Sequence, residues 1–375
     1  MNKILFVFGT RPEAIKMAPL IKLIEKNPQD YECIVCVTAQ HRQMLDQVLN
    51  LFEIKPHYDL NLMQAGQGLA DINASVLKGL TPILIKERPN IVLVHGDTTT
   101  AMASAMAAFY EDIPIGHIEA GLRTGNKKSP FPEEMNRTII GRVADFHFAP
   151  TQGARVNLLS EGVLEDHVYV TGNTVIDALH STLKLLRVNK ILQAQLDEKF
   201  NYIRSDKKLI LVTGHRRESF GIGFENICQA LSKIAKREDV EILYPVHLNP
   251  NVFGPVHKLL GSASNIHLIE PLDYLPFVYV MNRSHVLLTD SGGIQEEGPS
   301  LGKPVLVMRD VTERPEAVTA GTVKLVGTDA KCIASNVYRL LDDSKEYLRM
   351  SQSHNPYGDG TASSQIFSII RKIRV

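Results

Sequence analysis

A surplus of charge of either sign is missing from this chain of 375 residues. Forty-one lysines and arginines balance forty-one aspartates and glutamates, so no overall field draws it to nucleic acid or to an anionic membrane, and any phosphate site must be local. Long apolar runs are missing too. The segment MNKILFVFGTRPEA has a short apolar run behind a single lysine, too short for a signal-peptide core, and no stretch reaches the length of a membrane span. The expected location is the cytoplasm. Cysteine is scarce. Of four cysteines, Cys33 and Cys36 form a C-x-x-C, but in the strand-like YECIVCVT that spacing points them to opposite faces, as buried reduced thiols rather than a metal or redox pair. Thirteen histidines show no H-x-x-x-H or H-E-x-x-H spacing, and neither a Walker A nor a G-x-S-x-G pattern occurs, which argues against a metal site, a P-loop enzyme and a serine hydrolase. The turn after the first apolar strand has Gly9 alone of a G-x-G-x-x-G, which argues against an NAD or FAD site. No repeat or low-complexity tract is visible.

What is there is the composition of an ordinary globular protein, 44% hydrophobic and 22% charged, with length for two domains. Short apolar strands alternate with helical segments almost from end to end. The first half offers strands at Lys3 to Phe8, Tyr31 to Thr38, Asn90 to Gly96, Pro114 to Ile118, Phe146 to Ala149 and Val168 to Thr171. The second offers Leu209 to Thr213, Glu241 to Val246, Asn265 to Ile269, Val286 to Thr289 and Val305 to Met308. The alternation predicts an α/β fold of two Rossmann-like, doubly wound domains. Residues 1–172 form the first, 173–206 a helical connection, and 207–360 the second, nucleotide-binding domain. A last helix near 361–375 is expected to pack back on the first domain. Ligands in such folds bind at the carboxyl ends of the strands, and a cleft between two domains is where a large ligand would be held.

The motifs at those strand ends carry chemistry. In TDSGGIQEEGPSLGKPVLVMRDVTERPEA a strand runs through Asp290-Ser291-Gly292-Gly293 directly into a helix, so backbone N–H groups meet a positive dipole end with few side chains in the way, an anion site. Gly298-Pro299 is expected to stop that helix after about two turns, leaving Glu296 and Glu297 near the anion, where a carboxylate could accept from sugar hydroxyls. An ordinary packing turn is the plainer alternative. After the first strand, Pro12 suits the first helical position, and Arg11 and Lys16 bracket an unfavourable dipole end, which suggests an anion between them. IVLVHGDTTT ends in His95-Gly96-Asp97, with Asp97 or Thr98 as helix cap. Glu119 follows the next strand and Glu133 lies in the irregular stretch after it. Asp97, Glu119 and Glu133 thus converge on one edge, where carboxylates raise one another's pKa and suit proton transfer. In the second half, strands end at His215, which could relay protons or bind phosphate, and at His247, for which a functional and a structural role both stand open.

At GTRPEAIK, HGDTTT, HIEAGLR, FPEEMNR, TGHRRE and TDSGGIQEEGPSLGKPVLVMRDVTERPEA the chain closely resembles the non-hydrolysing UDP-N-acetylglucosamine 2-epimerases, over almost its whole length. The resemblance implies the GT-B architecture, with the active site in the interdomain cleft, and interconversion of UDP-N-acetylglucosamine and UDP-N-acetylmannosamine without metal or nicotinamide. It implies elimination of UDP to a bound 2-acetamidoglucal and its re-addition, and a homodimer. It assigns Asp97, Glu119 and Glu133 to the acid/base set, leaving open which acid serves which face, with His215 near the diphosphate and helping catalysis. Ser291, Gly292 and Gly293 match the diphosphate turn, Glu297 the ribose acceptor, and Phe277 the uracil neighbour. Arg11, Lys16 and Arg314 match substrate or phosphate positions, and His247 is counted with them. Gln40, His41, Gln43 and Gln67 resemble parts of a regulatory substrate site, at which Gly66 stands where some members carry an arginine.

The expected function is therefore UDP-N-acetylglucosamine 2-epimerisation for bacterial surface polysaccharide synthesis, with UDP and the two nucleotide sugars as ligands and neither nucleic acid nor membrane as partner. Alternatives are a hydrolysing epimerase, a GT-B glycosyltransferase, and a nucleotide-sugar sensor without catalysis.

Overall fold

The computed structural model describes residues 2–38, 42–62 and 66–373. The chain divides into two compact units, Met1–Ala178 with Tyr357–Val375, and Leu179–Pro356.

The first unit is built on a seven-stranded sheet. Its strands are β1 (Asn2–Phe8), β2 (Tyr31–Val37), β3 (Tyr58–Asp59), β4 (Ile91–His95), β5 (Ile115–Ile118), β6 (Phe146–Ala149) and β7 (Val168–Val170). They run parallel in the order β3-β2-β1-β4-β5-β6-β7. The runs ILFVF and IVLV of the two central strands are buried almost completely, as parallel strands covered on both faces require. β3 has no apolar run to announce it; it is two residues paired to an edge. Cys36 packs in the core with Leu5, Val7 and Ile34, and burial drives the Cys33 and Cys36 thiols up to about 12.

The final helix Ala362–Ile370 belongs to this unit. Asp177 accepts from its Ala362 and Ser363 N–H groups at 3.2 and 2.8 Å, and its Phe367 meets Tyr31 edge-on at 5.2 Å. Asp177 itself sits in the helix Thr174–Val188, within which the chain passes from one unit to the other. A second helix, Lys190–Lys199, follows at once, capped by Asn189.

The second unit has six parallel strands, β8 (Lys208–Thr213), β9 (Val240–Pro245), β10 (Ile266–Ile269), β11 (Val286–Thr289), β12 (Val305–Val307) and β13 (Val323–Leu325), in the order β10-β9-β8-β11-β12-β13. Both sheets reverse their winding once, between β1 and β4 in the first unit and between β8 and β11 in the second. The expected pair of doubly wound α/β units is therefore present. Such a reversal leaves a crevice outside the carboxyl ends of the two central strands, and those ends carry the motifs singled out above.

One expectation about the glycine-rich helix needs correction. It runs Gly292–Ser300 and contains Pro299 in its last turn rather than stopping before it. The stop comes after Ser300, where Leu301 and Lys303 N–H groups turn back to the Gly298 carbonyl. Gly298 serves packing: a Cβ there would lie 2.6 Å from Val305 and 2.7 Å from Leu287, so its absence lets the helix press on β11 and β12.

Candidate active site

In the first unit the site grows from three strand ends. β1 leads into the helix Arg11–Glu25, whose Glu13 turns back to accept from the Gly9 and Thr10 N–H groups at 3.1 and 2.8 Å. The other oxygen of Glu13 accepts from the Thr98 hydroxyl at 2.6 Å, which ties the β1 and β4 turns together. Thr98 is the cap of the helix Thr99–Tyr110, accepting from Ala101 N at 2.9 Å. That leaves the Asp97 side chain out of the capping role, and it turns instead to Arg137, at 2.7 Å from Nη2. The Asp97 carbonyl accepts from Asn136 Nδ2 at 2.9 Å. Burial pushes the Asp97 carboxyl up to about 6; Arg137 opposes the rise, and Glu119 and Glu133 add to it.

Glu119 follows β5 with φ at +63°, a left-handed backbone rare for a residue with a side chain. Its carboxylate meets the Lys16 ammonium and accepts from Asn173 Nδ2 at 2.6 Å. It also passes over Gly96, where a Cβ would lie 3.6 Å from Glu119 Oε1. Glu133 opens the helix Glu133–Val143, and its Oε2 is buried with no hydrogen-bond partner among the described residues. Asp97 thus feels the charge of both other acids. Arg11 sits half-buried at the start of its helix, while Lys16 turns to a carboxylate of its own unit. The Lys16 ammonium thus pairs with Glu119 within the unit.

In the second unit, β8 and β11 end side by side, with Thr213 registered against Thr289. Asp290 is fully buried and grips the loop after β8, accepting from the His215 and Arg216 N–H groups at 2.7 and 2.8 Å through one oxygen. The other oxygen stands 3.3 Å from His215 Nδ1. The His215 ring is half-exposed and stacks on His247, centroids 5.6 Å apart. Burial holds its pKa below the ordinary histidine value, against the pull of Asp290. Ser291 precedes Gly292 and Gly293, and its side chain makes no cap to the helix they open. Arg314 lies over this turn: a Cβ on Gly292 would stand 3.7 Å from its Nη2.

The same guanidinium is paired with Glu296, which is fully buried. Glu296 is therefore engaged within the unit and is not placed to accept from a sugar. Glu297 accepts from the Tyr274 hydroxyl at 2.9 Å, and Phe277 lies half-buried one turn further along the helix Tyr274–Arg283. Of the residues read as regulatory, Gln40 and His41 lie outside the described residues. Gln43 falls in the helix Arg42–Leu51 and Gln67 is half-buried ahead of the helix Leu69–Glu87.

Sequence reasoning assigned no role to Arg137, Asn173, Asp290 or Tyr274. Arg137 and Asp290 stood inside motifs already quoted, one helical turn from Glu133 and one residue from Ser291. Asn173 and Tyr274 reach their carboxylates from 54 and 23 residues away, and no local pattern reveals such a pairing. Taken unit by unit, the first presents a cluster of carboxylates in which Asp97, raised to about 6, is suited to proton transfer near neutrality. The second presents backbone N–H groups, an arginine and a histidine suited to a diphosphate.

Comparison with known proteins gives one answer. The family model for UDP-N-acetylglucosamine 2-epimerase matches residues 23–371. The chain is 60% identical over 374 residues to the UDP-N-acetylglucosamine 2-epimerase of Salmonella typhimurium, covering 100% of this chain and 99% of that protein. It is 59% identical, with the same coverage, to that of Escherichia coli strain K12. Among solved structures, UDP-GlcNAc 2-epimerase from Neisseria meningitidis bound to UDP-GlcNAc superposes with a TM-score of 0.93 at 53% identity, over 99% of this chain and 100% of that one.

Proposed function

The chain belongs to the UDP-N-acetylglucosamine 2-epimerase family, and we propose that it inverts C2 of UDP-N-acetylglucosamine without net hydrolysis, by eliminating and re-adding UDP. The C2 proton is not α to a carbonyl, so its direct removal is difficult. Elimination avoids this: the C2–H bond breaks as a carboxylate takes the proton, C1=C2 forms, and the C1–O bond breaks with its electron pair leaving on UDP. The 2-acetamidoglucal then accepts a proton on the opposite face of C2 while UDP returns to C1, giving UDP-N-acetylmannosamine.

The observation that carries this reading is the carboxylate cluster of Asp97, Glu119 and Glu133, in which Asp97 is poised at about 6. A carboxyl titrating there can both take and give a proton near neutral pH. The departing diphosphate needs preorganised donors, and the turn Ser291–Gly293, Arg314 and His215 supply them in this reading, with His247 stacked behind His215. Glu297 accepts from the ribose, Phe277 lies by the uracil, and Arg11 and Lys16 complete the substrate contacts. Asp290 supports the assignment of His215, since it holds that residue's backbone N–H and stands 3.3 Å from its ring. In the same reading Gln40, His41, Gln43 and Gln67 belong to a regulatory substrate site. The protein acts in the cytoplasm as a homodimer and supplies N-acetylmannosamine units for surface polysaccharide.

The test is incubation with UDP-N-acetylglucosamine in deuterated water, followed by NMR. The expected product is UDP-N-acetylmannosamine with deuterium at C2. Free N-acetylmannosamine as the main product would replace this reading by hydrolysis, and protium retained at C2 would remove proton exchange with the acids from the mechanism.

A further inference from the structure

Arg137 is the most deeply buried cation of the first unit's site, 6% exposed. It spans two carboxylates, with Nη2 at 2.7 Å from Asp97 and Nη1 at 3.5 Å from Glu134. Glu134 is committed elsewhere, accepting from the Thr124 N–H at 3.0 Å and the Gly125 N–H at 2.9 Å. The Nε and Nη1 groups of Arg137 have no hydrogen-bond partner among the described residues, so its closest contact is the ion pair with Asp97. A buried guanidinium with so little hydrogen bonding is costly, and its closest partner is an acid of the reaction.

The geometry points to Arg137 as a positioning residue of the epimerase: its guanidinium fixes the orientation of the Asp97 carboxylate and sets the pH at which that carboxylate exchanges its proton. The inference rests on the reading of Asp97 as an acid/base group. The charged groups facing Asp97 are Arg137 and Glu133 from the helix Glu133–Val143, Glu119 from the end of β5, and Lys16 from the helix Arg11–Glu25. His95 lies two residues away on β4. Lys16 pairs with Glu119, so Arg137 is the cation in direct contact with Asp97. Burial and the two neighbouring carboxylates favour the neutral acid, and Arg137 favours the anion. The balance leaves Asp97 at about 6, ionised in most molecules at neutral pH yet still able to hold a proton. Without the cation only burial and the two carboxylates, which favour the neutral acid, and the weaker, shared influence of Lys16 remain.

The test uses the full chain and compares Arg137→Gln, Arg137→Lys and Asp97→Asn. Two readouts are taken: the pH profiles of kcat and KM, and the carboxyl carbon shift of Asp97 by NMR, assigned through its loss in Asp97→Asn. In Arg137→Gln the Asp97 titration and the kcat limb it carries should rise by about one to three pH units, the usual effect of an adjacent arginine. Turnover at pH 7 should fall roughly tenfold and recover toward pH 9, with KM moved far less. Arg137→Lys should keep the limb within about half a unit of the parent, because the cation is retained.

An equal loss at every pH, or an Asp97 carboxyl that titrates in Arg137→Gln where it does in the parent, would overturn the inference. Near-normal turnover in Asp97→Asn would instead remove Asp97 from the chemistry, and the inference with it, which separates the two failures. Removing Arg137 strands the buried Glu134 carboxylate, so the double variant Arg137→Gln with Glu134→Gln serves if the single one does not fold. The same upward shift is expected in it, and an unmoved limb overturns the inference there too.

Discussion

Mild acid is expected to loosen the first unit, because three histidines lie on neighbouring strands of its sheet. His95 ends β4, and His117 in β5 is registered against Val94 on one side and His147 of β6 on the other. All three are buried, and burial holds His95 at about 4, His117 at about 3 and His147 at about 4. These folded values lie below the unfolded value of about 6.5, so between pH 6.5 and 4 the unfolded chain binds protons that the folded chain refuses. The stability contributed by the neutral rings is complete above that window and is lost as pH falls through it. At pH 5 the loss is about 2 kcal/mol per histidine, about 6 for the three. Asp97 acts in the opposite direction. Its folded value of about 6 lies above the unfolded one, so it gains a proton first in the folded state and returns about 1.4 kcal/mol by pH 5. The net loss from pH 7 to pH 5 is about 4 to 5 kcal/mol, a large part of the roughly 5–15 kcal/mol that stabilises a domain. Hydrogen exchange by mass spectrometry on peptides covering β4 to β6 reads the opening free energy of this unit at both pH values. In His117→Gln the substitution's own cost appears at both, but the difference between them should shrink by about 2 kcal/mol. Equal differences in parent and variant would refute the reasoning.

Gly121→Ala should be among the most damaging single changes in the first unit. Its φ is +89° and a Cβ would sit 2.2 Å from the Ala154 carbonyl oxygen, so backbone must move. A loss of at least about 3 kcal/mol is expected in urea unfolding, and parent-like stability would show that the helix Gln152–Ser160 yields without cost. Tyr274→Phe removes the buried hydroxyl that donates to Glu297 and should weaken UDP about tenfold by calorimetry, from the roughly 1.5–3 kcal/mol that a hydrogen bond to a charged group contributes; an unchanged Kd would detach Glu297 from nucleotide binding. Asp97→Asn and Glu119→Gln should each lower kcat by about 10²–10⁴ with the circular dichroism spectrum unchanged, and near-normal rates would remove them from proton transfer. Gly293→Leu should weaken UDP without altering unfolding, since a Cβ there meets nothing closer than 3.9 Å within the protein; unchanged UDP affinity would take the turn out of the site.

Most of the sheet is legible in the sequence because its central strands are buried on both faces and read as unbroken apolar runs. IVLVH and VLLT need no alternation to be recognised, and their boundaries in the structure fall within a residue or so of the expected ones. β3 and β13 escape that logic. Tyr58–Asp59 and Val323–Leu325 are edge strands of two and three residues, held by pairing with a neighbour rather than by their own hydrophobicity. Pro299 misled for a related reason. A proline signals a helix end through its missing N–H and its clash with the preceding turn, but in a helix of nine residues its last turn is already where the ladder ends. The acids and the glycine turn were readable because they occupy strand ends. Their partners from distant segments were not, since Asn173 reaches Glu119 across 54 residues and only the folded chain brings them together.

Those partners reveal a common device in both units. A loop that carries chemistry has to hold its shape without a ladder of its own, and in three places a buried carboxylate does this by accepting from two successive N–H groups. Glu13 holds Gly9 and Thr10, Glu134 holds Thr124 and Gly125, and Asp290 holds His215 and Arg216. In each case the carboxylate is nearly inaccessible, so its removal from water is offset by charge-assisted bonds to groups that would otherwise lack partners. The arrangement separates two kinds of acid that look alike in sequence. Glu13, Glu134 and Asp290 each turn one oxygen to a pair of successive backbone N–H groups, whereas Asp97, Glu119 and Glu133 face side chains and one another. Glu133 and Glu134 are adjacent in sequence and yet fall on opposite sides of that division, with one oxygen of Glu133 left unpartnered and Glu134 bonded to the loop. Adjacent acids can therefore be sorted by what their oxygens meet: a pair of successive backbone N–H groups marks the one that shapes the loop, and the lack of such a pair marks the one left to exchange a proton.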